Sequence, residues 1–320
     1  MKVLVTGGAG FIGSNLVETL VSDKRISSVR VLDNLSTGSE DNIKEFFADK
    51  KFEFIKGDIR DYDTCVKACD GISLISHQAA LGSVPRSIAD PLTTNDVNIT
   101  GTLNIFTAAK ESGIKRVVYA ASSSTYGDHP GLPKVEDKTG NPLSPYAVTK
   151  LVNELYAKVY ANLYGLELIG LRYFNIFGPK QNPKGPYAAV IPLFIKALMQ
   201  GQPPTINGDG SNSRDFTFVS NAVNANILAL FTTNHAATNQ VYNIACGEQT
   251  SLKQLYEDLR SKAGIELQAI HGPARQGDVL HSLADISKAN QLLGYKPLIA
   301  IKEGLEKTFE WYKGHQHFLS

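Results

Sequence analysis

Tyr146 and Lys150 stand four residues apart in a stretch of helical spacing, so both side chains leave the helix on one side. Asn153 shares their narrow arc, while Val148, Val152, Leu155 and Val159 lie roughly opposite. A phenol beside an ammonium can serve as a base. Free tyrosine titrates near pH ~10, so a phenolate at neutral pH needs a shift of ~3 units, or ~4 kcal/mol. The Lys150 charge favours the phenolate. Loss of a hydroxyl proton to Tyr146, with loss of hydride from the same carbon, is redox chemistry on an alcohol. An ordinary amphipathic helix also carries Y-x-x-x-K by chance, so the pair needs company. Ser122, Ser123 and Ser124 supply it: they follow directly on the strand-like Val117-Val118-Tyr119-Ala120. A hydroxyl at a strand end can bond the reacting oxygen and relay its proton, although serine runs are also common in plain loops.

The partner for a hydride is legible at the start of the chain. Gly7, Gly10 and Gly13 form G-x-x-G-x-x-G between the apolar Val3-Leu4-Val5 and the helical Phe11 to Val21. In that context glycine lets backbone approach a pyrophosphate at a helix N-terminus. Asp33 ends the second strand, twenty residues after Gly13, where a carboxylate accepts from the ribose hydroxyls of NAD and repels the phosphate of NADP. Asp58 ends the third strand, in reach of an adenine edge. NAD is the expected cofactor, and no metal site is expected.

These residues need a scaffold that brings strand ends together. Val29 to Leu32, Phe52 to Ile55, Ile72 to Ile75, Val117 to Ala120 and Leu166 to Tyr173 read as further strands, with helices at Asn98 to Ser112 and from Ser144-Pro145 to Leu163. Ser144 suits an N-cap and Pro145 the first helical position. Alternating strands and helices imply an α/β fold, a doubly wound parallel Rossmann sheet covered on both faces. Residues 1–175 are expected to form the NAD-binding domain, with a later return near 220–246 through Val241-Tyr242-Asn243-Ile244. Residues 176–320 are expected to form mostly a smaller, discontinuous substrate lobe, beginning with the loop Pro179 to Pro186.

Net charge is +1 with acids and bases mixed, which argues against nucleic acid as a partner. Cys65, Cys69 and Cys246 have no metal spacing and read as free buried thiols. The chain opens on a strand and has no long apolar run, so no signal peptide or membrane span is expected and the address reads as cytoplasmic.

Taken together, the glycine turn, Asp33, Asp58, the serine run, Tyr146/Lys150, Arg172-Tyr173-Phe174-Asn175 and Gly208-Asp209-Gly210 with Arg214-Asp215-Phe216 resemble the extended short-chain dehydrogenase/reductase family. The resemblance covers nearly the whole chain. It is nearest to the nucleotide-sugar 4-epimerases, and within them to bacterial enzymes acting on UDP-N-acetylhexosamines; Leu81 to Ser87 and Ala121 to Pro130 carry that likeness. It implies a catalytic NAD that takes hydride from sugar C4, a 4-keto sugar that swings about its diphosphate bond, and hydride return to the other face. The implied product pair is UDP-N-acetylglucosamine and UDP-N-acetylgalactosamine, with UDP-glucose and UDP-galactose kept open. Such enzymes usually pair through these helices, so a homodimer is implied.

The cofactor set that follows is Gly7, Gly10, Phe11, Ile12 and Gly13; then Asp33, Asn34, Ser36 and Gly38; then Asp58 and Ile59. Gln78, Ala79, Ala80, Asn98, Tyr146, Lys150 and Tyr173 complete it. Arg214 and Arg275 suit the diphosphate, since guanidinium forks match phosphate oxygens. Asp278 suits the uridine ribose and Asn175 a phosphate or the bridging oxygen. Gly82, Ser83, Ser122, Ser123, Tyr146, Ala189, Val190 and Asn207 complete the substrate side with Ser282. Ser282 stands where epimerases restricted to UDP-glucose and UDP-galactose often carry tyrosine, leaving room for a 2-acetamido group; a surface serine without bearing on specificity is the plain alternative. Counting back from Tyr126 makes Ser122 the proton relay, with Ser123 next; counting forward makes it Ser124. A 4,6-dehydratase would need a carboxylate where Ser123-Ser124-Thr125 stand. An epimerase of UDP-N-acetylhexosamine uronic acids would need a cation for the C6 carboxylate, with Arg86 the nearby candidate. A non-catalytic NAD-binding regulator would show a damaged Tyr146, Lys150 and serine set.

Overall fold

Valine and leucine dominate the first strand, β1 (Lys2–Thr6), and from Val3 onward it is buried on both faces. Val3 and Val5 join one apolar cluster and Leu4 the other, so helices must cover each side. The computed structural model describes residues 1–184, 188–273 and 280–319. In it β1 pairs with β2 (Ser28–Asp33) and β4 (Leu74–His77), β2 with β3 (Phe52–Lys56), and β4 with β5 (Arg116–Ser122). β5 pairs with β6 (Glu167–Tyr173), which pairs in turn with a strand at Val241–Ile244. All six pairings are parallel, in the order Val241–Ile244, β6, β5, β4, β1, β2, β3. The chain therefore reverses direction across the sheet beside β1. The carboxyl ends of β1 and β4 diverge there and leave a crevice. This is the expected doubly wound Rossmann sheet.

Helix α1 (Phe11–Ser22) buries Leu16, Val17 and Leu20 on one face of the sheet. On the other, α2 (Tyr62–Cys69), α5 (Gly101–Glu111) and α6 (Pro145–Tyr164) surround Phe106, Tyr119 and Leu168. Ser144 caps α6 by accepting from Ala147 N at 3.2 Å, with Pro145 at the first turn.

The strand at Ile72 to Ile75 starts later than its apolar run suggests, at Leu74. Ile72 N is spent on Cys69 O, closing the turn after α2, and Gly71 is left-handed there. β5 runs two residues past Ala120, because Ala121 and Ser122 pair with Arg172 and Tyr173. The helix expected from Asn98 is preceded by α3 (Val84–Ala89) and α4 (Pro91–Asn95), and Asp96–Thr100 forms a π-turn leading into α5. Asp61, Ser83 and Asp90 cap α2, α3 and α4.

After β6 the chain builds α7 (Val190–Met199) and short strand pairs: Ile176–Phe177 with Thr217–Phe218, Thr205–Asn207 with Ile270–Gly272, and Ser213–Arg214 with Thr250–Ser251. Buried Asp215 ties them together, accepting from the backbone N–H of Cys246, Gly247 and Ala284 at 2.9, 3.0 and 3.2 Å. Between these pieces α8 (Val219–Phe231) returns to pack on α1 and beneath β4 to β6. Among the described residues no helix is long and apolar enough to cross a membrane.

Candidate active site at the sheet reversal

The crevice at the end of β1 is shaped by absent side chains. Gly7 has φ +68°, and a Cβ there would lie 2.6 Å from Ala79 N at the end of β4. A Cβ at Gly13 would lie 2.1 Å from Gly7 O, so the turn and α1 close up only with glycine at both places. Gly10 caps α1 without a side chain, and the N–H groups of its first turn have no side-chain cap. An anionic diphosphate fits this cradle by size and by charge. Asp33 accepts from Ala9 N at 2.9 Å and Leu35 N at 2.8 Å, one bond on each oxygen, so each keeps a lone pair for a ribose hydroxyl. Burial raises its pKa and the two backbone bonds oppose the rise. Asp58 is held by Arg60 and Asn34, and the Arg60 guanidinium brings its pKa down to about 2.

A cavity of about 430 Å³ runs from this turn to the end of β5. Gly7, Gly10, Phe11, Ile12, Gly13 and Asp33 line one end, with Asn34, Ser36, Asp58 and Ile59 beside them. Gln78, Ala79, Ala80, Gly82, Ser122 and Tyr146 line the other, with Lys150, Tyr173 and Asn175. Lys150 is 3% exposed, and its Nζ donates to Ala120 O at 2.9 Å. Burial pulls its pKa down to about 8, against the opposing charge of Glu154 one turn on. Nζ lies 5.9 Å from the Tyr146 ring centroid. Burial raises the Tyr146 pKa, and a hydrogen bond with Ser122 lowers it. Ser124 donates to Ser122 Oγ from both its N (3.1 Å) and its Oγ (2.9 Å). The Ser122 hydrogen is then free to donate toward Tyr146. Ser122 lines the cavity, whereas Ser123 and Ser124 stand behind it in a 3-10 turn.

The cavity floor is held by Tyr173 and Gln78 together with two side chains that sequence reasoning missed, Ser76 and Asn226. Tyr173 OH donates to Gln78 Oε1 at 3.0 Å and accepts from Asn226 Nδ2 at 2.7 Å. Gln78 Nε2 donates to Ser76 Oγ and Asn226 Oδ1, at 2.9 and 3.0 Å. Both amide hydrogens of Gln78 are thus spent, and toward the cavity it presents an acceptor. Asn226 reaches this floor from α8 and is fully buried. The available signal was two asparagines, Asn224 and Asn226, inside the otherwise apolar stretch from Ala222 to Leu230.

A second cavity, of about 270 Å³, adjoins the first at Asn175, Ile176 and Gln181. Ala189, Val190, Asn207 and Arg214 line it. Its apolar wall includes Phe216 together with Phe194 and Leu252, which the sequence did not single out. Arg214 Nη1 donates to Ser213 O at 3.0 Å, and Asn175 Nδ2 to Asp215 O at 3.0 Å.

Several expected site residues lie off both walls. Gly38 packs on the backbone of Ala9 instead, where a Cβ would come within 2.7 Å. Ser83 caps α3, and Asn98 is buried, bonding both backbone groups of Leu81. Ser282 turns its hydroxyl toward Asp215 N at 3.5 Å. Arg275 and Asp278 lie outside the described residues.

The comparisons with known proteins converge. The family model described as the NAD dependent epimerase/dehydratase family matches residues 3–245. A putative UDP-glucose 4-epimerase of Methanocaldococcus jannaschii is 39% identical, over 98% of this chain and 99% of that protein. The solved structure of a UDP-N-acetylglucosamine 4-epimerase from Methanobrevibacter ruminantium, in complex with UDP-N-acetylmuramic acid, is 39% identical with TM-score 0.92, covering 98% of both chains. A dTDP-glucose 4,6-dehydratase from Streptomyces venezuelae is 31% identical with TM-score 0.92, covering 100% of both. The glycine cradle, the Tyr146/Lys150 pair and 243 contiguous matched residues agree: the chain belongs to the NAD dependent epimerase/dehydratase family.

Proposed function

We propose that this chain is a UDP-sugar 4-epimerase whose preferred pair is UDP-N-acetylglucosamine and UDP-N-acetylgalactosamine. The observation that carries the reading is the meeting of two cavities at Asn175, beside the wall that holds Tyr146, Lys150 and Ser122. One suits a dinucleotide and the other a second nucleotide, so a sugar between them reaches Tyr146. NAD, when bound, supplies the acceptor and then the donor of hydride at sugar C4. Gly7, Gly10 and Gly13 would hold its diphosphate and Asp33 its ribose. Tyr146 takes the C4 hydroxyl proton and later returns one, with Ser122 bonded to the same oxygen. Lys150 lowers the cost of the phenolate by its charge. Arg214 anchors the substrate's diphosphate while the sugar stays loosely held, as inversion requires.

The absence of a carboxylate at Ser123-Ser124-Thr125 favours epimerisation over dehydration. For the acetamido group, room is supported at Gly82, where an added Cβ would meet nothing within 4 Å. The matched Methanobrevibacter structure supports the same sugar class. Incubation with UDP-N-acetylglucosamine, UDP-glucose and the uronate forms, followed by NMR, tests the reading. Interconversion of the N-acetylated pair at the highest kcat/KM is expected; a preference for uronates or for the plain pair overturns the substrate assignment. Ser282→Tyr is expected to lower kcat/KM for the acetamido pair about tenfold or more, relative to the plain pair. Equal losses for both pairs would remove Ser282 from the specificity argument.

The same reading includes a homodimer. On α6, Val148 is 45%, Leu155 56%, Val159 47% and Leu163 67% exposed, an apolar stripe that water covers poorly. Leu155→Arg is expected to give a monomer in sedimentation velocity at concentrations where the native chain is a dimer. A native chain that sediments as a monomer refutes this assembly.

A further inference from the structure

His77 ends β4 under the cavity and takes no part in the chemistry above. Its ring is fully enclosed, with Nδ1 2.7 Å from Thr6 Oγ1 and Nε2 3.0 Å from Thr102 Oγ1. The single hydroxyl hydrogen of Thr102 goes to Asn98 O at 2.6 Å. The Thr102 oxygen therefore accepts from Nε2–H, and Nδ1 is the bare nitrogen that accepts from the Thr6 hydroxyl. Thr6 Oγ1 in turn accepts from Ala79 N at 3.3 Å. Beyond Thr102 the connection continues through the π-turn. Asn98 Oδ1 accepts from Leu81 N at 2.8 Å, and Nδ2 donates to Thr149 Oγ1 at 3.1 Å. The Thr149 hydroxyl donates to Tyr146 O at 2.8 Å. One continuous set of buried hydrogen bonds thus runs from the glycine turn to the helix of Tyr146 and Lys150.

We propose that His77, as the neutral Nε2–H tautomer, is a positioning residue that registers the cofactor wall at Gly7 and Ala79 to Leu81 against the catalytic helix. The assignment rests on reading the cavity as a dinucleotide site. Imidazole does what few side chains can: it places a donor and an acceptor on opposite edges of a rigid ring. That ring spans from β1 to α5 without a water molecule. Protonation would turn Nδ1 into a donor facing Thr6 and cut the connection there. The fold resists it. Thr6 from β1, Thr102 and Phe106 from α5, and Tyr119 from β5 face the ring with neutral groups. Lys150 from α6 acts on it with positive charge. Burial first, and Lys150 second, push the ring pKa down to about 3.

The test uses the full chain with His77→Leu, which removes both bonds, and His77→Gln, which can still donate to Thr102. NAD affinity is measured by calorimetry, and kcat and KM with the UDP-sugar at saturating NAD. His77→Leu is expected to bind NAD about tenfold more weakly and to lose about tenfold to a hundredfold in kcat, with KM within about threefold. His77→Gln should recover much of both. The unfolded histidine binds a proton that the folded ring refuses, so native stability falls as pH drops from 6.5 toward 3. The melting temperature of His77→Gln should fall less steeply over that window. Unchanged NAD affinity and kcat in folded His77→Leu overturns the proposal, as does a loss that His77→Gln does not recover at all. Should His77→Leu fail to fold, Thr102→Val removes the acceptor for Nε2–H at nearly constant shape and is read in the same way. A native chain that binds no NAD would instead sink the dinucleotide reading itself.

Discussion

Tyr146→Phe is expected to lower kcat by about a hundredfold to ten-thousandfold while NAD and UDP-sugar still bind, because only the proton-transferring oxygen is removed. The phenol stands at the cavity wall with a Ser122 hydrogen bond and a buried ammonium on the same helix face. Phenylalanine keeps the packing and abolishes the base. KM should therefore stay within a few-fold, which separates loss of chemistry from loss of binding. Steady-state kinetics by NMR, with NAD content measured on the same sample, checks both halves. Turnover equal to the native rate would remove Tyr146 from the mechanism. Ser122→Ala should give a smaller loss of the same kind, since it removes the hydrogen bond that opposes the burial-raised pKa of Tyr146.

Lys150→Met is expected to do two opposite things: abolish most turnover and stabilise the protein measured without cofactor. The ammonium is 3% exposed and, among the described residues, its hydrogen-bond partner is one carbonyl, Ala120 O. Burial takes its pKa from 10.5 to about 8. That difference of about 2.5 units corresponds to about 3 kcal/mol of destabilisation at pH 7. Loss of the bond to Ala120 O offsets about 1 kcal/mol of this, leaving a net gain of ~2 kcal/mol. The sign follows from linkage: between pH 8 and 10.5 the unfolded chain holds the proton that the folded chain has released, so native stability rises with pH. The methionine variant lacks that rise. Its advantage in melting temperature should be largest at pH 7 and nearly gone by pH 10.5. An advantage that does not change with pH, or no advantage at pH 7, would mean that Lys150 is better solvated than its burial implies. The cost that the native chain carries here is the condition for a cation close to Tyr146.

Most of the strand ends, and with them most of the site, were legible because each is marked by a residue whose type is forced. Gly7 and Gly13 are places where backbone touches backbone. Asp33 ends β2, Asp58 stands two residues past the end of β3 rather than on it, and Ser144-Pro145 announces α6. What escaped was set by tertiary contacts. The start of β4 could not be read from Ile72 to Ile75, since the period is the same and only the turn at Gly71 decides it. The order among Ser122, Ser123 and Ser124 depends on β5 extending to Ser122, which is fixed by pairing with Tyr173 on a strand 51 residues away. The caps at Asp61, Ser83 and Asp90 were present in the sequence, but the short helices they open carry too few turns to show a period. Asn226 was hidden differently. A polar residue in an apolar helix declares a hydrogen bond but not its partner, and its partners here lie 53 and 148 residues away.

The cavity floor also bears on how the protein comes to exist. Tyr173 and Gln78 come from β6 and the end of β4, yet Asn226 fixes them from α8, and the sheet is completed by Val241–Ile244. A nascent chain that has left the ribosome only as far as Tyr173 has the glycine turn, the catalytic helix and six strands. It has neither a second neighbour for β6 nor a cover for the face that α8 occupies. The cofactor floor is complete only once α8 and the strand at Val241–Ile244 have been made, and by then every described lining residue of the second cavity but Leu252 has been made too. The cofactor floor and the walls of the second cavity are in this way completed by the same stretch of chain.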